Sequence, residues 1–405
     1  MLIYWIWLAT RHGLSDRMKN TVLDRFGGPE DAYYARSYED VEGLTPEALE
    51  ALADKNLTGS EEILSECADK NIHILTIDDE KYPNRLKNIP DPPVVLYYKG
   101  ILPDLDATAA IGVVGTRKAS PYGMTMAKRM GSQIAACGGV VVSGAAFGID
   151  AVAMSGALAA GGTVVGVLGN GADIVYPSSN RGLYDDMERR GCLLTEFPPG
   201  TPPYAWNFPK RNRIISGLCC GVLVVEAPEK SGALITARQA AEQGRDVFVL
   251  PGNADSKTCL GSNALLRDGG ICVSTGWDIL NEYADLYPDR LHKAEVCTVD
   301  LLPEELSVPM VAQKPRKLTK SRAKKPAKDK KVIDKQENPP YSDVETGPLD
   351  ETERALVELL KNGDRLCDER LAEACLERGK VLSTLTLLEI KGVVRRLPGN
   401  RLCLK

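Results

Sequence analysis

From about residue 106 to 285 the chain repeats one pattern: a short apolar run, a glycine-bearing bend, then a stretch with helical spacing. "AAIGVVG" precedes a helical stretch at 121–136, "GVVVSG" precedes "GIDAVAMSGALAAG", and "TVVGVLG" precedes "RGLYDDMERRG". "CLLTEF", "GVLVVEA", "DVFVLPG" and "ICVS" follow, separated by helical stretches such as "SGALITARQAAEQG". Runs this short are strands, and strands alternating with helices build right-handed βαβ units. The fold class is therefore α/β, with a doubly wound parallel sheet over 106–290. The segment 134–172 tests this, because Asp150 is its only charged residue. Its ten glycines and short β-branched blocks fit buried strands and helices of a parallel sheet better than a transmembrane helix.

A chain of 405 residues has room for two or three domains. Residues 1–70 read as a small helical module of the sterile-alpha-motif or helix-hairpin-helix kind, or as a packing domain without a ligand. Thr45 is placed as an N-cap, with Pro46 at the first helical position and Glu47 in the first turn. Residues 71–105 read as a connecting segment with one or two strands. Residues 303–347 form a basic linker: "QKPRKLTKSRAKKPAKDKK" holds ten Lys or Arg and one Asp, too polar and self-repelling to form a core. It is a disordered tether or a sliding contact with phosphate backbones. Residues 350–405 contain three amphipathic helices and two short strands around a Pro-Gly-Asn turn, a winged-helix pattern that serves DNA or protein binding. Few cations occupy groove-reading positions there, which argues against a sequence-specific reader.

The formal net charge of −5 excludes a uniformly basic DNA coat, so nucleic-acid affinity must come from local patches. Eleven cysteines without a CxxC pair read as reduced, cytoplasmic thiols, neither a disulfide frame nor a zinc site. His12, His73 and His292 all lie outside 106–290, which argues against a His-ligated metal or a His-based triad in the patterned region. The opening "MLIYWIWLA" is too short for a membrane span and a poor signal peptide.

In a doubly wound sheet, ligands gather beyond the carboxyl ends of the strands. The residues there are Gly115, Thr116, Arg117 and Lys118 after the first strand of the pattern, and Ser143 and Gly144 after the second. Gly169, Asn170 and Gly171 follow the third, Ser231 and Gly232 come after "GVLVVEA", and Asn263 lies beyond "DVFVLPG". Glycines let N–H groups approach an oxyanion, and helix N-termini add partial positive charge. Each bend alone is also an ordinary strand-to-helix turn; five bends with two cationic clusters point to a phosphate ligand. GxGxxG and GxxxxGK[ST] are both missing, so a dinucleotide or a P-loop nucleotide is a poor fit and no cofactor is expected.

The box "FPKRNR" combines a π-face (Phe208), three cations (Lys210, Arg211, Arg213) and an amide (Asn212). Aromatic faces stack bases and cations track the backbone of a single strand. Five phosphate contacts, from Lys210, Arg211, Arg213, Arg117 and Lys118, give a salt slope of about −3.5 on a single strand. The competing readings are a core aromatic for Phe208 and an internal ion pair with Glu196 or Glu226 for Arg213.

The order "YPNRLKNIPDPPVVLYYKG", "VGTRKAS", "SGAAFGID", "GNGADIVYP", "TEFPPG", "FPKRNRIISGL", "VVEAPEKSGALITARQAAEQGRDVFVLPG", "GSNALLRDGG" resembles the DNA-processing protein A family, also called DprA or Smf, over about residues 80–285. The resemblance implies an extended Rossmann-like domain that binds single-stranded DNA without sequence preference, dimerises, and loads the RecA recombinase during natural transformation. It also implies a helical N-terminal module and, in some members, a C-terminal winged helix. By motif position, Arg117, Ser143, Gly144, Phe208, Arg211 and Arg213 would contact the strand, and Ser231, Gly232 and Thr236 would help form the same pocket. The chain departs from the family at Met154, where a His is frequent, and at Phe147, where a basic or aliphatic residue is frequent.

The rivals are a phosphoribohydrolase-like enzyme and a free-nucleotide sensor. The enzyme needs a placed carboxylate, but "KSGALITARQ" has Arg238 and Gln239 near that point; Glu226 is the remaining candidate acid. The expectation is a mediator without catalytic residues or metal, in which Arg117→Ala or Arg211→Ala weakens single-strand binding with little loss of stability.

Overall fold

The computed structural model describes residues 2–295 and three strands at 365–366, 394–397 and 401–404. It divides into two units, Met1–Lys314 and Pro315–Lys405.

The first unit opens with α1 (Leu2–Thr10), α2 (Asp16–Phe26), α3 (Pro29–Tyr34), α4 (Pro46–Ala53) and α5 (Thr58–Asp69). The apolar start is a core helix, in which Trp7 and Leu8 pack against Val22, Ala32, Ala48 and Leu52. Polar residues fix the starts of two helices. The Ser15 side chain accepts from the Met18 N–H and that of Thr45 from the Ala48 N–H, with Pro46 opening α4.

Nine strands then form one sheet. β1 (His73–Thr76), the short helix α6 (Asn84–Lys87) and β2 (Val95–Gly100) come first. β3 (Ala110–Val114), α7 (Pro121–Ala136), β4 (Val140–Ser143), α8 (Ile149–Ala159), β5 (Val164–Val167), α9 (Arg181–Arg190) and β6 (Cys192–Thr195) follow. α10 (Asn207–Leu218), β7 (Gly221–Val224), α11 (Gly232–Glu242), β8 (Asp246–Val249), α12 (Leu260–Arg267), β9 (Ile271–Cys272) and α13 (Gly276–Leu280) complete the unit.

The strand order is β1-β2-β6-β5-β4-β3-β7-β8-β9. β3 to β9 pair in parallel, as the alternation predicts; the apolar runs of β3 to β7 are buried because helices cover both faces, while β9 is an exposed edge. β1 and β2 add an antiparallel edge through β2 and β6, so residues 71–105 extend the sheet as well as connect. The chain winds from β3 out to β6, then returns to place β7 on the other side of β3. That reversal leaves a crevice between the loops following β3 and β7. Among the described residues no helix is long and apolar enough to cross a membrane.

In the second unit, β10 (Arg365–Leu366), β11 (Val394–Leu397) and β12 (Arg401–Leu404) form an antiparallel sheet with β12 in the centre. β11 and β12 are the two strands expected around the Pro-Gly-Asn turn, with Val394 opposite Leu404 and Leu397 opposite Arg401. The expected linker at 303–347 and the three expected C-terminal helices lie outside the described residues.

Candidate nucleic-acid interface

A cleft of about 550 Å3 opens at the β3/β7 reversal. Gly115, Thr116, Arg117 and Lys118 line it from the β3 loop, and Lys230, Ser231, Gly232 and Thr236 from the β7 loop and α11. Phe208, Arg211 and Asn212 of α10 close the third side. Arg117, Lys118 and Lys230 are exposed on its rim. Ser231 caps α11, its hydroxyl accepting from the Ala233 N–H, and Gly232 leaves the start of that helix open. An open helix N-terminus flanked by cations suits an anionic oxygen.

The start of α7, where a dinucleotide-binding sheet would seat a pyrophosphate, is closed by the protein itself. Buried Glu226 accepts from the Ser120 N–H at 2.9 Å, and a side chain at Gly123 would collide with its carboxylate. This carboxylate holds the seat that a cofactor's phosphate would need. It also removes Glu226 from the cleft as a candidate acid.

The helical period splits the "FPKRNR" box. Residues three and four apart share a face of a helix, so Arg211 points the same way as Ile214, Ile215 and Leu218. It is 3% exposed and packs on the sheet. Its Nη1 donates to the Gly144 carbonyl at 2.9 Å and to the Val167 carbonyl, and its Nε donates to Asn212 Oδ1. A Cβ at Gly144 would lie 2.4 Å from the guanidinium, so a side chain there would displace Arg211 from its carbonyl partners. Burial pushes Arg211 down to about 10, with the nearby Asp150 carboxylate offsetting part of that. Asp150 in turn is pushed up by burial, against the pull of Arg211 and the N–H groups of Gly144 and Ala146.

Lys210 and Arg213 lie on a different face of α10 and do not reach the cleft. Arg213 Nη2 contacts Asp16 Oδ2 at 2.7 Å and Glu196 Oε2 at 2.6 Å. Lys210 contacts the same two oxygens at 3.1 and 3.2 Å. Lys19 completes the cluster at 3.2 Å from Asp16 Oδ1. Burial would raise Asp16, but Lys19, Arg213 and Lys210 hold it well below the usual carboxylate range. The pair with Glu196 was one of the readings open for Arg213; the pair with Asp16, 197 positions away, was not foreseen.

Phe208 is neither a core aromatic nor a bare platform. One side packs on Gly169, where a Cβ would lie 2.9 Å from the ring, and Tyr176 lies 5.6 Å away, centroid to centroid. The Arg117 guanidinium sits 5.1 Å from the ring centroid. A base that stacks here takes the place of the guanidinium, which is then free for a phosphate.

Three further expected residues also serve the scaffold. Ser143 is buried and donates to the Val113 carbonyl at 2.6 Å. Gly144 lines a small adjoining cavity beside Arg117 and Phe147 instead of the cleft. Asn263 staples the loop after β8 through Gly252, accepting from its N–H and donating to its carbonyl. Met154 is buried in the core, so this departure does not touch the cleft, whereas Phe147 is 47% exposed and lines the small adjoining cavity. Lys230 and Tyr176 were missed. Lys230 precedes the Ser231–Gly232 helix start and was legible from that position; Tyr176 arrives through the long loop after β5, which carries no periodic signal.

Residues 73–284 match the family described as DNA recombination-mediator protein A. The chain belongs to this family. Residues 340–400 match the DprA winged helix domain, so the C-terminal unit carries the winged helix read from the sequence. The chain is 33% identical over 407 residues to protein Smf of Synechocystis sp., covering 98% of this chain and 97% of that one. It is 41% identical over 220 residues to the DNA processing protein DprA of Bacillus subtilis, covering 54% of this chain and 74% of that one. The X-ray structure of DNA processing protein A from Streptococcus pneumoniae aligns with a TM-score of 0.57 at 34% identity, covering 70% of this chain and 98% of that one.

Proposed function

We propose that the cleft binds single-stranded DNA without sequence preference. On this reading the chain acts as a recombination mediator, without turnover, protecting incoming strands and loading RecA during natural transformation. It works in the cytoplasm as a homodimer. The observation that carries the reading is the joining of three exposed cations to a half-open aromatic ring at the β3/β7 crevice. Cations meet successive phosphates, and the ring takes any base, because every base has a π-face. Membership of a recombination-mediator family supports the recombinase as partner.

The alternatives are a nucleotide-acting enzyme and a nucleotide sensor. Asp150 is the one carboxylate among the residues lining the cleft, and its Oδ2 already accepts from the Gly144 N–H. A general acid must reach the proton it transfers, and this one is committed to the scaffold. Fluorescence anisotropy with labelled oligonucleotides of increasing length tests the proposal. Affinity that rises with length, with mononucleotides as poor competitors, is the expected result. Tight, length-independent binding of a mononucleotide would move the assignment to a sensor, and release of free base from nucleoside monophosphates to an enzyme.

A further inference from the structure

Just before α10, Tyr204 and Trp206 form a stacked pair on the surface, with centroids 4.6 Å apart and planes 10° from parallel. They are 45% and 70% exposed. Single exposed apolar residues are ordinary, but an exposed tryptophan already aligned with a second ring is a preformed stacking surface. The two rings line a second depression, next to Lys210, Phe197 and the α1–α2 turn. Their neighbours Pro203 and Ala205 line the cleft itself. The segment 203–206 is therefore a ridge shared by both hollows. Trp206 lines the second hollow and Phe208, two residues on, lines the first. The charged side chains lining the second hollow are Arg11, Lys19 and Lys210 against Asp16 and Glu196, a surplus of one positive charge.

From this continuity we infer that Tyr204 and Trp206 form a second base-stacking subsite, taken by the same single strand after it leaves Phe208 and passes the N-terminal end of α10. The inference rests on the single-strand reading above and assigns the ridge to nucleic acid rather than to a protein partner. A strand too short to cross the ridge fills the cleft alone, and a longer one engages both.

The test uses the full chain and two oligothymidylates, one of about four nucleotides and one of about sixteen, the span of sites seen for single-strand folds. Trp206→Ala is expected to lower affinity for the longer strand about ten-fold, within the range for one lost stack, and to leave the shorter unchanged. Trp206→Phe, which keeps a π-face, is expected to restore most of it. Trp5 and Trp7 are buried, and partly buried Trp277 of α13 lines neither hollow, so quenching of tryptophan fluorescence by the longer strand is expected to fall sharply in Trp206→Ala. Arg117→Ala is expected to weaken both lengths. Equal affinity of wild type and Trp206→Ala for the longer strand, or an equal loss on both lengths, overturns the subsite while leaving the cleft assignment standing. A changed sedimentation coefficient in Trp206→Ala with unaltered oligonucleotide binding gives the ridge to contact between copies and also overturns it. If the wild type binds neither oligonucleotide, the cleft assignment falls and takes the subsite with it.

Discussion

Replacing Arg211 with alanine separates a scaffold role from a ligand role. The guanidinium is buried, donates to the carbonyls of Gly144 and Val167, and offsets the charge of buried Asp150. Its removal takes a charged donor from both carbonyls and leaves Arg117 as the other cation acting on that carboxylate. Hydrogen bonds to a charged group contribute about 1.5–3 kcal/mol each, so losing the two costs about 3–6 kcal/mol. Against a total of about 5–15 kcal/mol this is a large fraction. With a urea slope of about 3 kcal/mol/M, the unfolding midpoint falls by more than about 1 M. Urea titration followed by near-UV circular dichroism reads this directly. Single-strand binding, measured below the transition, is expected to fall only as far as the cleft loses its shape. The sequence alone pointed the other way, to lost binding with an intact fold. An unchanged midpoint with abolished binding would refute the structural account and restore that expectation.

Arg117→Ala is the converse case. Its guanidinium is exposed and rests on Phe208, so stability should change by less than about 0.5 kcal/mol while single-strand affinity drops several-fold in an anisotropy titration. Asp16→Asn should cost about 3–5 kcal/mol at neutral pH, because Lys19 loses its carboxylate partner and Lys210 and Arg213 each lose one of two. The folded-state pKa of Asp16 is depressed, so its contribution is present above the unfolded carboxylate range near about 4 and is lost as pH falls below it; wild type should lose stability there faster than Asp16→Asn. Gly169→Val should push the Phe208 ring out of place and weaken single-strand binding, seen by anisotropy, with duplex binding little changed.

The sheet was legible because its strands are short apolar runs set between helices and bends, a pattern that survives without tertiary information. The antiparallel edge was harder to see, because β1 and β2 lie in a proline-rich stretch whose partner, β6, is about a hundred residues downstream. The cleft loops were legible from the rule that ligands gather at strand ends. The "FPKRNR" box was misread as one cationic cluster because residues adjacent in sequence were treated as adjacent in space. At 3.6 residues per turn, Arg211 belongs with Ile214 and Ile215, and Lys210 belongs with Arg213. Applying that period to the box would have separated them; the carboxylate of Asp16 was beyond reach, since nothing local links α2 to α10.

The salt dependence of single-strand binding tests the central claim most directly. The cleft offers Arg117, Lys118 and Lys230, not the five cations counted from the sequence. At about 0.7 per phosphate, three contacts give a log–log slope of about −2 for a single strand confined to the cleft, in place of about −3.5. A short oligothymidylate titrated at several salt concentrations should show that slope, falling to about −1.4 in Arg117→Ala, with a duplex of equal length bound more weakly at each point. A slope that Arg117→Ala leaves unchanged, or duplex binding as tight as single-strand binding, would contradict a strand seated at the β3/β7 crevice.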